Sequence, residues 1–464
     1  MIRAWRCWAI FDTLLQNGTI VGPDELFDGN VYVARGKIAA ITEKNVVWEA
    51  RRTEDASGKL VFPGAVEAHA HLNDPGYTWR EDFEHGTLAA AAGGVTTVID
   101  MPLQNEPALT DASIFQAKHE AVSNKALVDY AFWGGLVGGP DKMRELHEAG
   151  VVAFKVFMGP VSPDYRSLDL GIIREILLKA ASLGALVGFH AEDYSIIKRE
   201  EARAQSEGRA GRRDFLLSRP LSAELIAVEN VIELVRETGA KAHICHVSHP
   251  EAAKRIRRAQ LEGLSVSGET CAHYLVYSED DFLREGALYK CAPPLRERNA
   301  AERLWDYVAD GTLQCVASDH SPCAPREKDE QNGIFAAWGG ISGIQTTMQV
   351  LYEHAVRRRR RSPALLSRCL SEGPARIFGL YGRKGAVEVG FDADLVIFDP
   401  EREWEISPDS LFYLNKISAF TGLKGKGLPV TTLVRGEPVF RNERGKSEGT
   451  QAFGYGKLAL RDNK

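Results

Sequence analysis

The sequence is short of the features that would mark a membrane, secreted or nucleic-acid-binding protein. Among its 464 residues no apolar run is long enough to span a bilayer. No charge of one sign dominates, because 57 lysines and arginines stand against 63 aspartates and glutamates, a formal net charge of -6. That balance gives no electrostatic ground for a nucleic-acid or membrane partner. Cysteine is sparse: Cys7, Cys245, Cys271, Cys291, Cys315, Cys323 and Cys369 form no CxxC pair. Neither a zinc ribbon nor a disulfide framework therefore has support. The thiols read as small buried side chains in a reducing compartment. The opening MIRAWRCWAIFDTLLQNG lacks a secretory apolar core and a small-residue cleavage site. The expectation is a cytoplasmic protein.

What is present is a change of periodicity along the chain. The first residues hold short strands, FDTLLQNGTIV, VYVARGKIAAI and LVFPG, bounded by glycine turns, which suits a small antiparallel unit. From Val61 eight apolar segments, VFPGAVEAHAH, TTVIDM, DYAFWGGL, AFKVFM, LVGFHAE, AHICHVS, LSVSGETC and LQCVASDH, alternate with helix-like stretches. Eight such βα units predict a (β/α)8 TIM barrel, with catalytic groups at the C-terminal ends of its strands. Strand character returns after Lys384 in GAVEVGFDADLVIFDP and LPVTTLVRGEPVFRN. Residues 1–60 and 385–464 are expected to form one small β-sandwich domain beside a barrel of residues 61–384. The charged stretch 195–214 reads as an exposed helix and loop, and Arg357 to Arg361 as a solvated helix end.

The chemistry starts from VVAFKVFMGP, which sets Lys155 among β-forming apolar residues. Burying an unpaired ammonium there is costly unless it is paired or chemically changed. In EAHAHLNDPG, His69 and His71 lie two apart at the end of the first barrel strand, so both imidazoles share a face. His190 in LVGFHAED, His246 in AHICHVSH and Asp319 in CVASDHSP close strands five, six and eight. In a barrel those ends converge on one mouth. Five nitrogen and oxygen ligands exceed what one tetrahedral zinc needs and point to two metals, which require a bridging anion. Lys155, closing strand four, would supply it by reacting with carbon dioxide to form a carbamate. Of the remaining histidines, His85, His119, His147 and His354 fall in helical segments and are expected to be exposed. His243, an odd number of residues from His246, is expected to face away from it, and His320 and His273 to support the ligands.

The motifs PGAVEAHAHLNDPG, FKVFM, HAED, HVSHPEA, ETCAHYL, KCAPPLR and SDHSPC together resemble those of the cyclic amidohydrolases, over essentially the whole chain. That family comprises dihydroorotases, hydantoinases or dihydropyrimidinases, and allantoinases. The resemblance implies two divalent metal ions, most often zinc, with cobalt, manganese, nickel or iron as alternatives. It implies that His69, His71 and Asp319 hold one metal, His190 and His246 the other, and N6-carboxylated Lys155 both. Asp319 would also carry the proton in catalysis, and the subunits would assemble as a homotetramer.

Within the family, dihydroorotases carry an arginine two residues after the second histidine, where this chain has Asn73. Hydantoinases place a tyrosine shortly after the bridging lysine and a serine before Pro-Pro, where this chain has Gly159-Pro160 and Ala292. These departures, with DMPLQNEPAL and AAWGGISGIQ, point to an uncharged ureide, allantoin, as the substrate. Hydantoins or dihydropyrimidines are the alternative, and a non-catalytic dihydropyrimidinase-like scaffold is the second alternative. Ala292, Trp338, Gly339 and Asn73 are the expected substrate contacts.

Overall fold

The computed structural model describes residues 10–160, 165–443 and 446–461. Cys7 and the first half of the opening segment read for a leader lie outside the described residues. The chain begins with β1 (Phe11–Val21), β2 (Leu26–Ala34), β3 (Lys37–Thr42), β4 (Ala50–Asp55) and β5 (Leu60–Pro63). The expected single strand VYVARGKIAAI is two strands, because Arg35 and Gly36 take positive φ angles of 55° and 75° and turn β2 back as β3. The unit is also mixed, not antiparallel: β1 pairs antiparallel with β2 and parallel with β4 and β5. Strand β4 went unanticipated because RRTED is charged, and its residues alternate between half-buried and exposed.

Gly64 separates two structural layers inside the apolar run VFPGAVEAHAH. A Cβ there would lie 2.1 Å from Thr96 Oγ1, so only glycine lets the chain leave β5 and enter the barrel at once. The barrel strands are β6 (Ala65–Ala70), β7 (Val95–Asp100), β8 (Asp129–Gly135), β9 (Ala153–Phe157), β10 (Leu186–His190), β11 (Lys241–Ile244), β12 (Val266–Cys271) and β13 (Cys315–Ala317). They lie parallel and in sequence order, the expected TIM barrel. Closure comes at the mouth, where Ala70 bridges His320 and the His71 N–H donates to the His320 carbonyl at 2.8 Å.

The barrel interior is filled by Val66, Ile99, Trp133, Phe157 and Ala317. Helices cover the outside with apolar stripes. The helix Leu170–Leu183 is capped by Asp169, which accepts from the Ile172 N–H, and it stops at Gly184 with φ 65°. It buries Ile173, Ile176, Leu177 and Ala180, the helical spacing of one face, and each large side chain contributes roughly 1.5–3 kcal/mol.

The chain then returns to the first sheet with β14 (Leu395–Glu405), β15 (Lys424–Val434), β16 (Glu437–Glu443) and β17 (Lys446–Gly449). The order is β17-β16-β15-β14-β5-β1-β2-β3 with β4 beside β1, so both ends of the chain build the small domain around Leu15, Val31, Val61, Leu395 and Leu433. A boundary drawn at residues 60 and 61 falls inside β5. The last described residues leave this domain again and dock on the barrel, where the Ala459 N–H donates to the Tyr130 carbonyl at 2.7 Å. A buried ion network ties the two parts. Lys384 donates to Asp129 and to Asp394, each at 2.6 Å, and Arg435 also reaches Asp129.

On the surface, Arg357, Arg358, Arg359 and Arg361 end a helical segment in ion pairs with glutamates and an aspartate, as expected of a solvated helix end. The helical histidines are less exposed than expected. His85, His119 and His147 are half-buried, and His354 is buried because its segment packs against β15.

Candidate metal centre

The ends of β6, β9, β10, β11 and β13 bring the predicted ligands to the barrel mouth. His69 Nε2 lies 3.3 Å from Asp319 Oδ1, and His71 Nε2 lies 3.7 Å from the same oxygen. His190 Nδ1 and His246 Nε2 are 3.1 Å apart, and the His69 and His246 rings are 5.3 Å apart, which joins the two groups. Lys155 sits among them at 1% exposure, and its ammonium finds no hydrogen-bond partner among the described residues. Its charge helps lower the pKa of His69, His190 and His246 together, which places it between both groups. All six predicted ligands therefore converge.

Local backbone geometry explains how. His246 and Asp319 follow their strands at φ 38° and 44°, left-handed conformations that non-glycine residues seldom adopt. This breaks the period of two, so His243 and His246 both turn inward despite their odd spacing. The expectation that His243 faces away is thereby corrected: it is fully buried inside the barrel, 3.2 Å from Glu269 and 2.8 Å from Ser267.

Electrostatics favours a cation at this point. Burial, followed by the Lys155 charge, lowers the pKa of His69; burial lowers His190; and burial with the His190 and Lys155 charges takes His246 well below the usual imidazole range. Neutral imidazoles keep a lone pair for a metal. Burial alone would raise Asp319, but the charges and contacts of His69 and His71 hold it at about 2. The donor set is neutral nitrogen with anionic oxygen, and the orphaned ammonium of Lys155 completes the case. An uncompensated buried charge costs several kcal/mol, whereas a carboxylated lysine there would be a ligand. The residues present fit a divalent metal pair.

Three buried glutamates that support the candidate ligands were missed in the sequence. Glu269 accepts from His69 Nδ1 at 2.5 Å, and Glu192 accepts from His190 Nε2 at 2.8 Å, each fixing the tautomer that leaves the other nitrogen free. Glu67 accepts from the backbone N–H groups of His69 and Ser318 and so joins the first barrel strand to the last. Glu67 and Glu192 each lie two residues from a ligand histidine, and that same-face spacing was the signal available. His320 sits behind the site against Tyr413 and 3.5 Å from Glu81, while His273 lies beside Asp319 with both ring nitrogens unbonded.

A cavity of about 850 Å³ opens at the same mouth. Ala292, Trp338 and Gly339 line it, with Arg219, Lys290 and Phe215. Arg219 links its wall to the ligands, because the guanidinium pairs at 2.6 Å with the Glu192 that holds His190. Asn73 does not line it. Its side chain is buried, with Nδ2 donating to the His71 carbonyl at 2.8 Å, so it props the loop that follows His71 and stands apart from the cavity wall.

A barrel of this topology with histidine, aspartate and lysine gathered at its C-terminal mouth is the architecture of a metal-dependent hydrolase. Residues 60–439 match the Amidohydrolase family, and the chain belongs to that family. It is 42% identical over 437 residues to an allantoinase of Rubrobacter xylanophilus, covering 94% of this chain and 95% of that protein. It is 36% identical over 441 residues to an allantoinase of Salmonella newport, covering 94% and 96%. Among solved structures it resembles the L-hydantoinase (dihydropyrimidinase) of Arthrobacter aurescens, with a TM-score of 0.93 and 32% identity over 97% of this chain and 100% of that one. It also resembles the dihydropyrimidinase of Brevibacillus agri, with a TM-score of 0.90 and 30% identity over 97% and 98%.

Proposed function

We propose that this protein is an allantoinase, a hydrolase that opens the cyclic amide of allantoin to give allantoate. The observation that carries the reading is 36–42% identity to allantoinases over 94% of a chain whose six ligand-type side chains gather at one barrel mouth. Metals held by His69, His71, Lys155, His190, His246 and Asp319 would make water nucleophilic near neutral pH and polarise the ring carbonyl. Asp319, ionised at neutral pH, accepts the proton that water releases as its oxygen bonds to the carbonyl carbon. It returns that proton to the ring nitrogen as the C–N bond breaks, since an amide anion is a poor leaving group. Glu269 and Glu192 hold His69 and His190 in register throughout. The backbone at Ala292 and at Gly339, beside Trp338, offers the uncharged ureide amide donors and acceptors.

The proposal extends to zinc as the metal and to carboxylation of Lys155. Imidazole and carboxylate donors suit zinc, with cobalt, manganese, nickel or iron as substitutes. A homotetramer and a cytoplasmic site follow from the family resemblance and the sequence composition; no helix among the described residues is long and apolar enough to cross a membrane.

A second reading, hydantoinase or dihydropyrimidinase activity, is favoured by the close fit to those structures. A scaffold without activity fits poorly, because none of the six ligand-type residues is lost. Turnover of allantoin, hydantoin, dihydrouracil and dihydroorotate by metal-loaded protein decides among them. Allantoin is expected to be the best substrate, and its failure to react overturns the proposal.

A further inference from the structure

Two more lysines are enclosed near the mouth, and no ligand role accounts for them. Lys290 is buried; Lys328 keeps part of its stem in solvent while its ammonium is enclosed. Among the described residues neither forms an ion pair with a carboxylate. Every hydrogen bond from Lys290 Nζ ends on a backbone carbonyl, at Phe335 (3.2 Å) and Ala337 (2.5 Å). Lys328 Nζ behaves alike, donating to Ala287 (2.9 Å), Trp338 (3.1 Å) and Gly340 (2.6 Å).

We propose that Lys290 and Lys328 are positioning residues that clamp residues 335–340 in place as one wall of the substrate cavity. The proposal rests on the reading above that the Trp338-Gly339 backbone meets the substrate.

Residues 335–340 form neither helix nor strand, so the carbonyls of Phe335, Ala337, Trp338 and Gly340 have no regular partners and are taken up by the two ammoniums. The same segment is tied from its other groups. The Gly340 N–H donates to the Lys290 carbonyl at 2.9 Å, and the Trp338 N–H to the Glu327 carbonyl at 2.7 Å. Arg80 stacks 4.0 Å above the Trp338 ring and pairs with Glu327. Gly340 is closed in, since a Cβ there would lie 2.4 Å from Ser321 Cβ, whereas at Gly339 the nearest contact is Lys290 Cε at 3.8 Å. The backbone left open toward the cavity is therefore that of Gly339.

Lys290 also belongs to the Ala292 segment, two residues before it in KCAPPLR, so this one residue ties together the two expected substrate-contact segments. Both charges are held at a cost. Burial, then the Arg219 and Lys328 charges, draws Lys290 down to about 7, while Glu201 and Glu330 oppose this weakly; burial draws Lys328 down to about 8. Methionine would fill the same space without that cost, so what the ammoniums hold accounts for their presence.

The test compares Lys290→Met and Lys328→Met with unaltered holoenzyme, reading KM, kcat and metal content on allantoin, with Lys328→Arg as the conservative variant. The expected result is a KM raised about tenfold in each methionine variant, kcat changed far less, metal content unchanged, and part of the loss restored by arginine. Methionine variants with unaltered KM, or with lowered kcat alone, overturn the clamp. If unaltered enzyme turns over another cyclic amide and not allantoin, the substrate reading fails by itself, and the same KM comparison is made on that amide. Should the methionine variants not fold, hydrogen exchange on Lys328→Arg beside the unaltered protein decides. The Trp338 and Gly340 amides keep their backbone acceptors in both, so faster exchange there in the arginine variant supports the clamp and equal exchange overturns it.

Discussion

The ring of His69 is held at 2.5 Å by the buried carboxylate of Glu269, on the face opposite Asp319. This single contact decides which nitrogen is offered to a metal. Replacing Glu269 with glutamine keeps the shape and removes the charge, so the His69 tautomer is no longer fixed. Glu269→Gln is expected to lower metal affinity or activity by about 10–100-fold. Metal titration of the variant checks it; affinity equal to that of the unaltered protein refutes the role.

Lys155 is the residue whose chemistry matters most. Lys155→Ala should empty the site of metal and abolish turnover, with partial recovery when short carboxylic acids are added to take the place of a carbamate. Full activity without Lys155 would rule out the bridge. Intact mass measured under mild conditions should show the added carbon dioxide on the unaltered protein and not on the variant.

Glu192 couples the site to acid stability. Burial would raise its pKa, but Arg219 and His190 outweigh burial and hold it at about 2, below the ordinary 4.5. A carboxyl with a depressed folded pKa contributes stability that is present above pH 4.5 and is lost as pH falls toward about 2. In Glu192→Gln the urea midpoint should therefore fall less steeply across that window than in the unaltered protein. Equal slopes would show that the ion pair carries no such linkage.

The seam between barrel and small domain depends on Lys384. Its removal leaves Asp129 and Asp394 buried with Arg435 as the remaining side-chain partner, beside the Lys457 N–H that donates to Asp129. Lys384→Met is expected to cost about 3–5 kcal/mol in urea unfolding while metal content at the mouth is kept. A loss below about 1 kcal/mol would mean that Arg435 alone satisfies the network.

Asn73 was expected to touch substrate, yet its amide supports the His71 carbonyl. Asn73→Ala should accordingly weaken metal retention and leave KM nearly unchanged. A rise in KM at full metal occupancy would return Asn73 to the substrate.

Much of the architecture was legible from local pattern. Eight apolar segments separated by helical stretches leave few topologies other than a parallel barrel, and barrel geometry sends every strand end to one mouth. That is why His69, His71, Lys155, His190, His246 and Asp319 could be gathered from positions up to 250 residues apart. The charged strand β4 and the parallel pairing of β1 with β4 and β5 were not legible, because their stability comes from long-range pairing and not from their own composition.

The sequence by itself determined the barrel, the candidate ligands at its strand ends and the oddity of a lysine in VVAFKVFMGP, since strand periodicity and residue chemistry are local properties. Only the tertiary structure decided which nitrogen of each of His69 and His190 faces the site, that His243 turns inward, and that the ammoniums of Lys290 and Lys328 meet the carbonyls of one loop. Those features rest on left-handed residues at strand ends and on buried hydrogen bonds across the barrel, and both come into being only when the chain is closed upon itself.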